Sequence, residues 1–538
     1  MAIDADSAAR VAERRQQYHE ADVVVVGAGV FGCAVAYALA NQGRSVLLLE
    51  RWMHEPDRIV GELLQPGGLA ALEKIGLGHC VEGIDAIPCY GYHVLYHKDD
   101  AVLEYPATDP VTGKVKAVVR RNLDAKSYVA AKAQNGHTNA SVNGYANKEA
   151  YGVGQKQGKR AEGRSFHHGR FIMKLRQACQ AHENITVVET DVQATIRGEH
   201  SPEVLGVESR TTLQNGEKKL DFFFGQLTII ADGYASRFRK QVLGPTKVPV
   251  VRSKFYALEL IDCPFQPYGF GHVVIGAAPG PVLLYQIGTH ETRALIDVPD
   301  REPAASPANG GVRGYIEKVV IPTLPVEVQP SFRAALAALG EKQIPKSMPN
   351  SWLPPTKQTQ NPGVLLLGDA MNMRHPLTGG GMTVAFNDVL LLSEVLSPEK
   401  VPDLADAERI AEAMKVFHWR RKAWTSIINV LAQALYSLFA AQDDRQLVAL
   451  QKGCFEYFRR GHTDEPLGMM SGMLQEPLTL AYHFFTVAFV GIWINALEVC
   501  DGGSLLGLLK APLALIDAVL ILWRACVVFL PVMWKELQ

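Results

Sequence analysis

The sequence has no CxxC pair, and its eight cysteines (33, 80, 89, 179, 263, 454, 500 and 526) are scattered over 538 residues. That spacing fits reduced thiols facing the cytosol better than a disulfide framework or a cysteine-based metal site. Charge of either sign is not in excess either. The 54 Lys plus Arg against 55 Asp plus Glu leave a net charge of -1, which excludes nucleic acid as a partner because that role calls for a basic surface. The arm MAIDADSAARVAERRQQYHE has no apolar stretch of the kind a signal peptide needs, so residues 1–21 read as a charged, helix-forming arm. At this length the chain is two or three compact units rather than one core.

What is present starts at residue 22. DVVVVGAGVFGCAVAYALANQGRSVLLLE is a strand, a glycine turn, a helix and a second strand closed by an acid. Gly27, Gly29 and Gly32 have the GxGxxG spacing: the first allows the tight turn, the second lets backbone approach a pyrophosphate, and the third permits helix to pack on strand. The helix N-terminus then faces the phosphates, and Glu50 stands where an acid accepts hydrogen bonds from a ribose. A second strand-to-turn unit, GVLLLGDAMNMRHPLTGGGM (363–382), carries Asp369 and the cluster Gly379, Gly380 and Gly381. An NAD dehydrogenase has no use for it. A flavin does, because its ribityl hydroxyls suit a carboxylate and its edge suits backbone N–H groups. LTIIADGYASRFRK (227–240) adds a third turn at Asp232 and Gly233. Strand ends in an open α/β sheet converge on one crevice, so three such turns point to one elongated cofactor, FAD.

The remaining texture divides the chain. The expected FAD-binding unit comprises residues 22–105, 164–250 and 362–395. Residues 106–163 hold ten Lys plus Arg and four Asp plus Glu, with no Ile or Phe, and read as a disordered insertion that cannot offset its own ordering entropy. Residues 251–361, short apolar runs separated by Gly and Pro, predict a mainly antiparallel sheet forming a substrate domain, with helix-rich chain after 345 closing its other side. Residues 396–538 predict a helical region with a membrane anchor at about 477–534. The run 477–497 is long enough to cross a bilayer core, whereas 504–534 is interrupted by Lys510, Asp517 and Arg524. Each charge costs about 3 kcal/mol at mid-bilayer, which favours a hairpin in one leaflet with its charges snorkelling or facing protein. Trp424, Ile427, Ile428, Leu431, Leu435 and Leu438 share one stripe, a packing helix beneath that anchor.

The runs EPDRIVGELLQPGG (55–68), EGIDAIPCYGYHV (82–94), SFHHGRFIMKLR (165–176), ADGYASRFRK and GDAMNMRHPLTGGGMTVAFND together resemble the squalene monooxygenase (squalene epoxidase) family over most of residues 22–395. The resemblance implies a p-hydroxybenzoate-hydroxylase-like flavin monooxygenase fold, α/β (α+β overall), with a Rossmann-type FAD domain. It implies epoxidation of squalene to (S)-2,3-oxidosqualene with O2 through a flavin C4a-hydroperoxide, a step toward ergosterol-type sterols. Implied partners are squalene, O2, membrane lipid and NADPH-cytochrome P450 reductase, on the endoplasmic reticulum membrane with the catalytic domain facing the cytosol. By matching motifs, it places FAD contacts at Val30, Phe31, Glu50, Arg51, Arg58, Arg170, Asp369 and Met382, and at Val192 by a looser match. Leu63 stands where some relatives carry an aromatic, and its contact can run through backbone. Tyr92 matches the family's activity-linked tyrosine and Gln65 its partner near the flavin. His167 and His168 read as packing or capping residues, and no metal is expected. Two other readings share the dinucleotide turn: an aromatic hydroxylase of the same flavin fold reduced directly by NADPH, which would need a charged group in a polar pocket, and a non-enzymatic escort of prenylated proteins, which would lack the 368–382 run.

Overall fold

In a computed structural model the described residues run from His19 to Leu537, except 110–113, 120, 135–159, 214, 277, 279, 341–342, 359–360, 442–443, 501 and 503–506. The N-terminal arm and the middle of the 106–163 segment lie outside the described residues.

Strand β1 (Glu20–Val26) is central in the first sheet, with Val23, Val24 and Val25 wholly buried. A parallel strand covered on both faces has to be apolar throughout, which is what the valine run supplies. It pairs in parallel with β2 (Val46–Glu50) on one side and with the long strand later in the chain on the other. The sheet is completed by β5 (Ile185–Glu189), β6 (Asp191–Arg197), β7 (Val204–Thr212), β8 (Lys218–Ile230) and β14 (Val364–Leu366). Its order is β5-β2-β1-β8-β7-β6, and β14 runs parallel to the end of β8. Helix α1 (Val30–Ala40) follows β1, and α2 (His168–Gln180) packs beside it. Parallel register therefore carries the ends of β1, β8 and β14, and the three turns after them, to one edge.

The second sheet is antiparallel except for one pair, as the 251–361 texture predicts, but it recruits more chain. It contains β3 (Gly91–Tyr96), β4 (Asp99–Glu104), β9 (Val250–Ile261), β10 (Gly271–Ile275), β11 (Val282–Gln286), β12 (Glu291–Pro299) and β13 (Lys346–Trp352), in the order β13-β9-β12-β11-β10-β3-β4. Residues 91–104 thus belong here rather than to the flavin unit: β3 pairs in parallel with β10 on one edge and antiparallel with β4 on the other. Residues 346–352 are not helical: they form an edge strand, the one place where Pro349 costs no ladder bond.

The segment 106–163 differs from the expected disorder over its first half. Ala107–Thr108 pairs with Val115–Lys116, and Ala125–Gln134 is a helix. Polar contacts take the place of a core: the Val118 N–H donates to Asp464 at 3.0 Å, and Asn122 Nδ2 donates to the Phe458 carbonyl at 2.7 Å.

The C-terminal part follows α3 (Gly381–Val395) and comprises α4 (Ala407–Phe439), α5 (Arg445–Arg459), α6 (Asp464–Met470), α7 (Pro477–Val499) and α8 (Ala511–Leu537). The predicted stripe lies on α4, where Ile427, Ile428 and Leu438 are buried. Helices α7 and α8 are both long and apolar enough to cross a membrane. The charges within α8 face protein: Arg445 reaches Asp517 at 2.6 Å and Arg524 reaches Asp444 at 2.7 Å. The outward faces are apolar instead, with Leu478 87%, Trp493 61%, Leu515 69% and Trp523 68% exposed. Such a patch marks a membrane or protein contact rather than a solvent surface. Trp493→Glu combined with Trp523→Glu is expected to abolish co-sedimentation with lipid vesicles and to leave the thermal midpoint unchanged; full vesicle binding by this variant would contradict that assignment.

Candidate active site

Gly27 has φ +102°, and a Cβ there would lie 2.6 Å from the Ala231 carbonyl oxygen at the end of β8. A Cβ on Gly32 would lie 1.8 Å from the Gly27 oxygen, so turn, helix and neighbouring strand are packed without room for a methyl group. Gly29 is different: nothing stands within 4 Å of its Cβ position. It caps α1 and opens onto a crevice lined also by Val30, Phe31, Arg58, Leu63, Gly233, Asp369, Gly379, Gly381 and Met382. The three turns converge there as the sequence predicts.

Glu50 ends β2. Its carboxylate accepts from the Ala28 N–H at 2.7 Å and the Trp52 N–H at 3.1 Å. Arg176 stands 3.4 Å away, buried, donating to the carbonyls of Ala28 at 3.0 Å and Trp52 at 2.8 Å. Sequence reading passed over Arg176. The signal was its place on the apolar face of α2, among Ile172, Leu175 and Cys179, where an arginine needs a specific partner.

Arg58 Nη2 is 3.9 Å from Asp369, and its buried Nε has no hydrogen-bond partner among the described residues. Such an orphaned donor on a crevice wall, beside an open glycine and a carboxylate, is the donor set that a flavin's phosphates and ribityl hydroxyls require. Not all the expected contacts line the crevice. Arg170 lies in the first turn of α2 outside it, and His168, two residues earlier, lines it instead. Arg51 is exposed and stacks its guanidinium 3.7 Å over the Trp52 ring. Val192 is buried in a core with Val26 and Leu49. Gly380 packs on α4, where its Cβ would meet Ile428 at 2.5 Å. The Asp232 carboxylate caps the following turn by accepting from the Arg237 N–H at 2.9 Å, while its neighbours Ala231 and Gly233 line the crevice.

Tyr92 and Gln65 meet. Gln65 Nε2 donates to the Tyr92 hydroxyl at 2.5 Å and to the Thr378 carbonyl at 2.6 Å, and Tyr105 donates to Gln65 Oε1. All three side chains are buried, and burial raises both phenols well above their ordinary pKa, so they stay protonated. Tyr105 and Thr378 lay outside the sequence expectation, since long-range partners of an amide leave no local pattern.

A second cavity adjoins the first. Its walls are almost wholly apolar: Val94, Leu103, Val430, Leu431, Ala434, Leu435, Leu438 and Phe439, with Leu480, Phe484 and Val487 of α7 and Phe529 of α8. Among the described residues, no Asp, Glu, Lys or Arg lines it. Tyr92, Val273 and Leu377 line both cavities.

A family model described as squalene epoxidase matches residues 224–509, and one described as FAD dependent oxidoreductase matches residues 22–55. The chain is 62% identical over 524 residues to squalene epoxidase ERG1 of Gibberella zeae, covering 97% of each chain. The chain belongs to the squalene epoxidase family. Squalene epoxidase ERG1 of Saccharomyces cerevisiae is 38% identical over 520 residues, 96% of each chain. Solved structures share the fold: a probable FAD-dependent monooxygenase, pqsL, from Pseudomonas aeruginosa (TM-score 0.55, 19% identity, 80% of this chain and 98% of that one) and p-nitrophenol 4-monooxygenase PnpA from Pseudomonas putida DLL-E4 (TM-score 0.57, 17% identity, 87% and 98%). This squalene epoxidase family member is therefore a flavin-dependent monooxygenase with the p-hydroxybenzoate-hydroxylase-like fold, its cofactor is FAD, and its place is in sterol synthesis.

Two predictions follow from the crevice. Asp369→Ala is expected to weaken FAD binding by about 10- to 100-fold, the loss of a charge-assisted hydrogen bond, measured by quenching of flavin fluorescence on titration into flavin-free protein. The second concerns pH. Burial, with Arg58 nearby, pushes the His168 pKa down from 6.5 to about 3, and its Nδ1–H donates to the Gly61 carbonyl at 2.8 Å. Burial does the same to His375, to about 3. Both are neutral when folded and protonate near 6.5 when unfolded, so their contribution is whole above pH 6.5 and is lost as pH falls from there toward 3. Each removes about 1.4 kcal/mol per pH unit across that window. Chemical unfolding across pH should show His168→Gln with a shallower slope than the wild type.

Proposed function

We propose that this chain epoxidises the terminal alkene of squalene to (S)-2,3-oxidosqualene, taking oxygen from O2 and electrons from NADPH-cytochrome P450 reductase. The observation that carries this reading is the common wall of Tyr92, Val273 and Leu377 between the flavin crevice and an uncharged, apolar cavity. A phenolate or carboxylate substrate would need a charged partner there, and none lines the cavity.

Gly27, Gly29 and Gly32 shape the first turn and the α1 N-terminus that would hold the pyrophosphate, with Val30 and Phe31 lining the same crevice. Glu50, held by two backbone N–H groups and Arg176, would accept from the adenosine ribose, and Asp369 and Arg58 would hold the ribityl hydroxyls and phosphates. Leu63 and Met382, which line the crevice, would contact the flavin. When bound and reduced, the flavin supplies an electrophilic oxygen drawn from O2. The alkene's own π electrons take it up, so the protein needs no nucleophile and no metal. Its task is positional: apolar walls exclude water, and the Gln65–Tyr92 pair fixes a hydroxyl at the junction of the two cavities.

The cavity is walled by α4, α7 and α8, and the outer faces of the last two are apolar. Substrate then passes from lipid to flavin without crossing water. We read α7 and α8 as a hairpin in one leaflet beneath the catalytic domain, a reading supported by their packing along α4 and α5, with Lys452 to Glu498 at 2.9 Å and Arg524 to Asp444 at 2.7 Å. Reduction by the reductase places the enzyme on the endoplasmic reticulum, catalytic domain in the cytosol, in keeping with eight unpaired cysteines.

The test is reconstitution in detergent with FAD, squalene, O2 and NADPH. Oxidosqualene is expected only when the reductase is added. NADPH consumption without reductase, with squalene untouched, would contradict the reading and favour a directly reduced hydroxylase.

A further inference from the structure

Gln65 carries two polar ends, and which end faces Tyr92 decides what the Tyr92 hydroxyl can do. If the amide nitrogen faces it, the hydroxyl oxygen accepts and its proton is left for another partner. If the amide oxygen faces it, the hydroxyl proton is consumed. Around Gln65 the side-chain nitrogen donates to Tyr92 and to the Thr378 carbonyl, and the side-chain oxygen accepts from Tyr105. The Tyr92 hydroxyl donates to the Thr378 carbonyl at 3.2 Å, a longer bond than the 2.6 Å one the same oxygen receives from Gln65, so its proton is held weakly.

We infer that Tyr105 is a positioning residue: by donating to Gln65 Oε1 it holds, together with the Thr378 carbonyl, the amide orientation in which Gln65 donates to Tyr92, so that the Tyr92 hydroxyl proton, held by a long bond, can turn toward the flavin crevice. Tyr105 is suited to this and to little else. It is 0% exposed, lines neither cavity, and meets the Tyr92 ring edge-on with centroids 6.1 Å apart. It also sits just past β4, whose partner strand β3 carries Tyr92, and its own N–H donates to the Tyr90 carbonyl at 2.8 Å. The same hairpin therefore supplies both phenols that hold Gln65. Removing the Tyr105 hydroxyl leaves Gln65 Oε1 buried without its donor, which loosens an amide then held through its nitrogen by the Thr378 carbonyl and Tyr92.

The inference rests on the proposed squalene epoxidation, and the experiment separates the two. Tyr105→Phe, Gln65→Ala and the double variant are compared in the reconstituted assay, following kcat, KM for squalene and hydrogen peroxide released per NADPH, and by the thermal midpoint of the flavin-free proteins. Tyr105→Phe is expected to lower kcat about tenfold with KM for squalene within twofold, and to raise peroxide release. In the Gln65→Ala background the same change should alter kcat and the thermal midpoint far less than in the wild type. Equal effects in both backgrounds, or full kcat with unchanged peroxide in Tyr105→Phe, overturn the inference. Gln65→Glu is the second variant should Tyr105→Phe not fold: its carboxylate accepts from both phenols, so it is expected to release peroxide with Tyr105 intact, and a fully coupled Gln65→Glu enzyme also overturns it. A wild-type protein that makes no oxidosqualene instead defeats the functional reading beneath it.

Discussion

A pure hydrocarbon offers no charge and no hydrogen-bonding group, so walls alone can set its position. The rest of this structure depends on where those walls meet the flavin crevice. Tyr92 and Val273 come from adjacent parallel strands of the second sheet, and Leu377 comes from the loop between Asp369 and α3. Neither sheet could make that junction by itself. The first sheet brings nucleotide-type turns to one edge; the second brings an apolar face whose alternation puts Tyr92 and Val94 on the side of the cavity.

Two kinds of interaction hold the arrangement. Close backbone packing sets the turn, where Gly27, Gly32 and Ala231 leave no space for added carbon. Buried polar contacts set the rest. Arg421 and Asp388, both almost fully buried, pair at 2.6 Å and tie α4 to α3. Arg421 also donates to Asn372 at 3.3 Å, and Asn429 links Asn372 to Glu536 of α8 through bonds of 3.2 and 3.1 Å. The loop bearing Asp369 is thus connected through α4 to the helix that presents an apolar face outward. A buried pair of this kind is weak as a source of stability and strong as a specifier of one arrangement, because either partner left alone is costly.

The sequence made some of this legible and hid the rest for physical reasons. Local rules sufficed where one segment carries the whole signal: the valine run, the GxGxxG turn, the Gly-Asp turn at 368–369 and the helices of residues 477–537 are all found where their patterns put them. Convergence of three strand ends followed from a general property of parallel sheets. Partners far apart in the chain were another matter. Arg176 for Glu50, Tyr105 for Gln65, and Asp444 and Arg445 for the charges of α8 have no local signature, and each emerged only once the chain was folded. Arg170 and Val192 came from motif matches: Arg170 stands two residues after His168, which lines the crevice, and Val192 lies in β6, in a core with Val26 and Leu49. Composition misled for residues 107–134, where side-chain to backbone bonds onto α5 and α6 replace the missing apolar core.

The central claim is that one continuous dry path joins the hairpin to the flavin through the wall of Tyr92, Val273 and Leu377. Its most direct test is a structure of the FAD-loaded protein with squalene, prepared without oxygen so that no turnover occurs. The account predicts the terminal double bond at that wall and the chain running past Ala434 and Leu435 toward Phe484. Squalene bound elsewhere, or a terminal double bond lying away from the flavin, would contradict it.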